Sequence, residues 1–138
     1  MLQELDIYTA SGASNLLGYK DQRTFYCMVF RNRMKDPDVA LFINGRKGLY
    51  WSRALIKKEE TEYTEYKDLF DMTGAAKYMG CSRQAIYAHL AVDGRMEDPI
   101  IIRINGREKR LWKKEQLDRT KKLLRKRSHR RKQQKSSV

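Results

Sequence analysis

The chain has 138 residues, of which 41% are apolar, and a formal net charge of +13 at pH 7. A chain of this length can bury a core, but only a small one per unit if it is divided. No run approaches the roughly 18 apolar residues of a membrane-spanning helix, and the N-terminus lacks a signal-peptide pattern, so we expect a cytoplasmic protein without a membrane partner.

The positive charge is concentrated at the C-terminus. Residues 119–138 hold ten of the 30 basic residues and no acid, whereas residues 1–118 hold the other 20 and all 17 acids. A basic tail of this kind indicates a polyanionic partner. The chain has no phosphate-cradling glycine-rich loop, metal-ligand spacing or nucleophile–base set, so we expect no enzymatic activity, cofactor, metal or small-molecule ligand.

The sequence contains an internal repeat. A shift of 62 residues aligns residues 11–37 with 73–99, and one deletion later residues 43–51 align with 104–112. The recurring positions include Gly12/Gly74, Gly18/Gly80, Gln22/Gln84, the RM-x-DP and INGR segments and Trp51/Trp112. We therefore expect two copies of one domain, at residues 1–56 and 69–118, joined by an acidic helical linker at 57–68 and followed by a basic helix extension and disordered tail at 119–138.

The first copy is expected to begin with a helix at residues 11–17, which ends at Gly18, followed by a second helix at about 21–33. The Asn44-Gly45 dipeptide predicts a β-hairpin, and a further helix is expected from about Ser52 into the linker. Residues 57–70 carry five acids and three bases, which argues against their touching phosphate.

The second copy has the same order of elements. Thr73 is the expected N-cap of its first helix, Gly80 its end, and Ser82 the N-cap of its second helix. Ile86 and Leu90 lie one turn apart and are expected to face the first helix. The side chains expected to point outward are then those of Arg83, Gln84, Tyr87, Ala88 and Ala91.

A hairpin is also expected at Asn105-Gly106. Its register stays open, because a two-residue and a four-residue loop place different residues inward. A basic helix is expected to start after Trp112 and to run into the tail.

The segment GAAKYMGCSRQAIYAHLAVDGRM, followed by a hairpin, resembles the excisionase-type and MerR-type winged helix-turn-helix domains. The resemblance implies a mainly α fold with small β-hairpins (α+β), arranged as two tandem winged helix-turn-helix domains. It further implies sequence-specific binding of double-stranded DNA through two recognition helices and wings. The protein would be a nucleoid-associated transcriptional regulator or an excisionase-like architectural factor of a bacterium, phage or mobile element. Such a protein could also have a protein partner in transcription, recombination or DNA segregation.

The resemblance also implies which residues contact DNA. Arg pairs with guanine and Gln with adenine in the major groove, whereas Ser and Tyr suit phosphate or methyl contacts. The DNA-binding residues implied for the recognition helices are Ser82, Arg83, Gln84, Tyr87 and Ala88 in copy two, and Lys20, Gln22, Arg23 and Tyr26 in copy one. Those implied for the wings are Arg46 and Lys47, and Arg103, Arg107, Lys109 and Arg110.

The alignment predicts that the two copies do not read the same bases: copy two is the better candidate for sequence-specific contact, and copy one either reads a different half-site or mainly supports positioning. It places Lys20-Asp21 where copy two has Ser82-Arg83, so Asp21 replaces an arginine and takes over helix capping. Two other functions stay open: an RNA-binding or nonspecific nucleic-acid-coating protein dominated by its basic tail, and an interaction domain that has lost DNA binding. No aromatic stacking platform supports RNA binding.

Overall fold

The computed structural model describes residues 2–136, and their side chains as far as residue 125. Each copy consists of a strand, two helices, a β-hairpin and a further helix. In copy one, after a 3-10 turn at Leu2–Glu4, these are β1 (Asp6–Tyr8), α1 (Ala10–Leu16), α2 (Gln22–Phe30), β2 (Val39–Ile43), β3 (Arg46–Ser52) and α3 (Arg53–Ile56). In copy two they are β4 (Thr64–Phe70), α4 (Met72–Met79), α5 (Arg83–Ala91), β5 (Ile100–Ile104), β6 (Arg107–Lys113) and α6 (Lys114–Ser136).

The six strands form one closed barrel in the order β1-β3-β2-β4-β6-β5. Pairs within a copy are antiparallel, whereas the two seams between copies, β1–β5 and β2–β4, are parallel. Each strand of copy one lies directly across the ring from its equivalent in copy two, so a rotation of 180° about the barrel axis exchanges the copies. The copies are therefore related by an approximate twofold axis that runs along the barrel.

The expected mainly α fold of two tandem winged helix-turn-helix domains is wrong. Both copies contribute strands to a single barrel, and their hairpins form its walls instead of projecting as separate wings. The strand that precedes each helix pair was not predicted. Residues 57–68, expected to be a helical linker, are irregular as far as residue 63 and then enter β4, because this segment finds backbone partners in β2 and β6.

Three apolar clusters make up the core. The barrel interior is filled by Leu2, Ile7, Val39, Leu41, Leu69, Ile102 and Leu111. Outside the barrel, the helices of each copy pack on a buried tryptophan of its hairpin. The indole N–H groups of Trp51 and Trp112 donate to the carbonyls of Lys35, at 2.9 Å, and Glu97, at 3.0 Å. Each hairpin therefore has one face in the barrel and one under its helices.

Each hairpin turn is bonded to the start of a helix in the other copy. The side-chain amide of Asn105 accepts from the Thr9 N–H and donates to Thr9 Oγ1, both at 3.0 Å. Asn44 accepts from the Asp71 N–H at 3.2 Å and donates to Asp71 Oδ1 at 2.8 Å. Thr9 and Asp71 are the N-caps of α1 and α4. These reciprocal asparagine contacts join both turns to both helix pairs at the same end of the barrel.

Two glycines permit this close approach. A Cβ on Gly12 would overlap the side-chain amide of Asn105, and a Cβ on Gly74 would overlap that of Asn44. The turn itself has two residues, both in the left-handed region, with φ of +55° at Asn105 and +78° at Gly106. That geometry favours Asn-Gly and settles the open register as a two-residue loop.

The local predictions for copy two are largely confirmed. Gly80 ends α4 with φ of +70°, and Ser82 caps α5. Ile86 is buried and Leu90 packs beside it, as expected. The N-cap of α4 is Asp71 rather than Thr73, because Oδ1 of Asp71 accepts from the Gly74 N–H at 2.8 Å.

The expected basic helix is present as α6, which starts at Lys114 and reaches Ser136, so residues 119–136 of the expected tail lie in this helix. Residues 137 and 138 lie outside the described residues. Among residues 2–136, no helix combines the length and the apolar character needed to cross a membrane.

Gly74→Ala should lower the free energy of unfolding by about 1–3 kcal/mol, because the new methyl group must displace the Asn44 side chain. In an Asn44→Ala background the same change should be neutral or stabilising, since alanine is the better helix former by about 1 kcal/mol. Urea denaturation of the four variants measures this coupling. Lys77→Ala, at an exposed site of the same helix, is the matched control. An equal cost of Gly74→Ala in both backgrounds would contradict the contact.

The contact between Asn44 and Asp71 should make stability depend on pH. Partial burial raises the pKa of the Asp71 carboxyl, but hydrogen bonds from Asn44 and from the Gly74 N–H, together with nearby Lys109, outweigh it and lower the pKa below its ordinary value of 3.8. The ionised carboxylate therefore stabilises the fold. This contribution is present above pH 3.8 and is lost as the pH falls through the lowered pKa.

Asp71→Thr, which copies the N-cap residue of copy one, should destabilise the protein at pH 7, and the difference from wild type should shrink as the pH falls below about 4. Denaturation between pH 7 and pH 2.5 measures it. Asp36→Thr removes an exposed carboxylate from a loop and should have a small effect at every pH. A wild-type advantage that is the same at pH 7 and pH 2.5 would show that the carboxylate charge plays no part.

Candidate nucleic-acid interface

The second helix of each copy begins with the same arrangement. Asp21 caps α2 by accepting from the Thr24 N–H at 3.1 Å, and Ser82 caps α5 by accepting from the Ala85 N–H at 3.1 Å. The expected capping role of Asp21 is thus confirmed. Four residues after each N-cap comes the one fully buried side chain of the helix, Phe25 in α2 and Ile86 in α5. Cap and buried residue therefore fix both the start and the rotation of each helix.

This equivalence corrects the sequence alignment of the two helices. The alignment placed Asp21 on Arg83 and Gln22 on Gln84, and this is wrong by one residue. Two residues, Tyr19 and Lys20, separate Gly18, which follows α1, from the N-cap of α2, whereas Cys81 alone lies between Gly80 and the N-cap of α5. Copy two compensates with an additional residue after α5, so the later motifs align again.

The structurally equivalent residues are Gln22 with Arg83, Arg23 with Gln84, and Tyr26 with Tyr87. Each helix thus begins with one glutamine and one arginine, followed a turn later by an exposed tyrosine. Tyr26 is 53% and Tyr87 51% exposed. The sequence could have shown this register, because both helices have a capping residue four positions before a large apolar one.

These glutamine and arginine side chains point into solvent. Gln22, Arg23, Arg83 and Gln84 are all exposed, and within the part of the chain whose side chains are described none of the four forms a side-chain hydrogen bond or ion pair. Long polar side chains that the fold does not use are free to contact a ligand. The structure therefore provides two equivalent, unpaired hydrogen-bonding surfaces.

In copy two, α5 borders a groove with the outer wall of the barrel. This groove, of about 470 Å³, brings together four of the predicted residues, Arg83, Tyr87, Lys109 and Arg110. Its other lining residues are Asp71, Met72, Thr73 and Glu108. Lys109 Nζ lies 3.9 Å from Asp71 Oδ2, so its charge is partly balanced. The arginines leave the groove basic, although two acids that were not predicted to lie there, Asp71 and Glu108, also line it.

The equivalent surface of copy one is less charged. Gln22 replaces Arg83, Gly48 replaces Lys109, and Leu49, which is 48% exposed, replaces Arg110. Lys47 contributes a charge there, but its Nζ lies 3.9 Å from Glu65 Oε1 and 5.7 Å from the centre of the Phe42 ring. The two copies therefore share a backbone arrangement and differ in electrostatic character.

The other predicted residues are spread over the surface. Arg46 and Arg107 follow the hairpin turns directly, and Arg107 also lines a cavity of about 580 Å³ against α1 of the other copy. Arg103 lies on the outer wall opposite Glu108. Two exposed residues complete the set, Lys20 before the cap of α2 and Ala88 next to Tyr87 on α5.

The start of α6 belongs to the globular fold. Leu117 and Thr120 are buried, and the Tyr78 hydroxyl donates to Asp118 at 2.5 Å. Arg119 donates twice to the Glu97 carboxylate, at 2.6 and 2.8 Å, and these bonds lower the pKa of Glu97. Lys121 also contacts the fold, because its Nζ lies 4.1 Å from the centre of the Tyr78 ring. The first basic residues of the expected tail, Arg119 and Lys121, therefore have structural contacts.

Residues 2–125 contain no group of three His, Cys, Asp or Glu side chains that could hold a metal ion. No protein-family model matches the chain, and comparisons with curated proteins and with solved structures found no match either. The chemistry of the exposed residues is therefore the basis for assigning a function.

Proposed function

We propose that the protein binds double-stranded DNA in a sequence-specific manner through the N-terminal turns of α2 and α5, and that it acts at the nucleoid as a transcriptional regulator or an architectural factor. The observation that carries this proposal is the pair of exposed, unpaired Gln and Arg side chains that starts each of two helices related by an approximate twofold axis.

The residue types match the chemistry of the major groove. That groove is about 12 Å wide and admits a helix, whose first turn approaches the base edges. Arginine can donate two hydrogen bonds to guanine O6 and N7, and glutamine can bond N6 and N7 of adenine. Tyr26 and Tyr87, a turn later, suit contacts to phosphate or to a thymine methyl group.

The twofold axis fits duplex DNA. A DNA duplex has local twofold axes perpendicular to its length, so a protein with two equivalent helices aligns its own axis with one of them and reads two inverted half-sites. DNA bound in this way would lie across the barrel axis. Arg46 and Arg107 beside the hairpin turns, and Arg110 beside α5, would then supply phosphate contacts.

Arg83→Ala and Gln84→Ala should each reduce the preference for the selected DNA sequence by about 1–3 kcal/mol, because each removes contacts to one base. Arg107→Ala should weaken binding to all sequences together. Selection from randomised duplexes, followed by titration of selected and scrambled DNA, measures both effects. Lys77→Ala is the matched control for Arg83→Ala, because it also removes one positive charge from an exposed helix position, here on α4. Equal affinity of the wild type for all duplexes and for RNA would instead indicate a coating protein driven by its tail.

A chain that ends at Arg125 should keep its preferred sequence but lose overall affinity. This truncation keeps the packed part of α6 and removes six basic residues, Lys126, Arg127, Arg130, Arg131, Lys132 and Lys135. If half of them reach phosphate, the slope of log affinity against log salt should fall by roughly 3. Titrations between 50 and 300 mM salt measure this slope. Identical slopes for the two chains would mean that the removed residues do not touch DNA.

A further inference from the structure

The two candidate recognition helices present the same two residue types in opposite order. After its N-cap, α2 begins Gln22-Arg23, whereas α5 begins Arg83-Gln84. The first position is thus glutamine in one copy and arginine in the other, and the second position is the reverse.

The two positions correspond in space as well as in sequence. Both helices have nine residues and start directly after a side-chain cap. The fully buried Phe25 and Ile86 occupy the same place in each helix and fix its rotation, and the tyrosines that follow them are equally exposed. Successive residues are separated by about 100° of rotation and 1.5 Å of rise. The first and second residues of each helix therefore point in distinct directions that the other helix reproduces.

We propose that the order of these two residues determines the orientation of the chain on DNA, so that the protein reads an imperfect inverted repeat in which guanine and adenine exchange places between the half-sites. This inference rests on the proposed DNA binding. Arginine selects guanine and glutamine selects adenine, so equivalent positions of the two helices select different bases. A perfect palindrome would match one helix and mismatch the other.

The fold does not require this order. None of the four side chains forms an internal hydrogen bond or ion pair in the described part of the chain, and arginine and glutamine have nearly equal helix propensity. Exchanging them within one helix also leaves the composition and net charge unchanged. A change in DNA preference after such an exchange would therefore report on base contacts and not on stability or overall charge.

The test uses the full chain with Gln22→Arg and Arg23→Gln made together, so that both helices begin Arg-Gln. The wild type should select an imperfect inverted repeat from randomised duplexes. The double variant should instead prefer a perfect palindrome made of the half-site read by α5, by about tenfold or more over the wild-type site. The reciprocal variant, Arg83→Gln with Gln84→Arg, should prefer a palindrome of the other half-site. Thermal melting confirms that both variants fold.

The outcomes separate the two proposals. A wild type that selects no sequence would refute the proposed function itself. A wild type with a clear preference that the double variant keeps unchanged would refute the inference alone. Loss of all specific binding in a folded double variant would also refute it, because the Arg-Gln order already occurs in α5 and should work equally well in α2.

Discussion

The arrangement of both helix pairs depends on the contact between each hairpin turn and the first helix of the other copy. Asn44 and Asn105 each bond the backbone and side chain of an N-cap, and Gly12 and Gly74 supply the space. The N-cap sets where a helix leaves the barrel, and the second helix packs on the first. Because every turn serves the opposite copy, neither helix pair is positioned by its own copy alone. The duplicated sequence therefore behaves as one body, and α2 and α5 are held in a fixed relation.

The sequence predicted the local elements and missed how they combine. The Asn-Gly turns, the cap at Ser82, the end at Gly80 and the apolar face of α5 follow from rules that act over a few residues. The barrel depends on pairing between copies, such as Ile7 with Ile104, which no local pattern reveals. Strand β1 has only three residues, and in β4 the acids Glu65 and Asp68 hide the inward Tyr66 and Leu69. The winged-helix prediction failed because it included neither the strand pairing between the copies nor the barrel core that they share.

The sequence predicted most of the residues of the candidate site, but it aligned α2 with α5 incorrectly by one residue. Most of the implied residues are exposed, and Arg83, Tyr87 and Lys109 meet in one groove. The match of Gln22 with Gln84 was misleading, because sequence identity favoured an alignment without gaps across both helices. The structure instead has one additional residue before α2 and one additional residue after α5. Burial is the stronger constraint: a residue in the place of Phe25 or Ile86 must be apolar, whereas exposed positions can exchange glutamine and arginine at little cost.

Fusion of the two copies in one chain has a consequence for recognition. In a dimer of identical chains both helices must carry the same residues, so a change that adapts one half-site alters the other. Here the scaffold is symmetric, but each copy is encoded separately. Copy two has Arg83 and Arg110 in a basic groove where copy one has Gln22 and Leu49. Since the barrel core and the reciprocal asparagine contacts hold both copies, the exposed side chains of Arg83 and Gln22 need not contribute to stability. If the protein binds DNA as we propose, the twofold axis would set the geometry of binding, and the differences between the copies would decide the orientation of the chain on DNA.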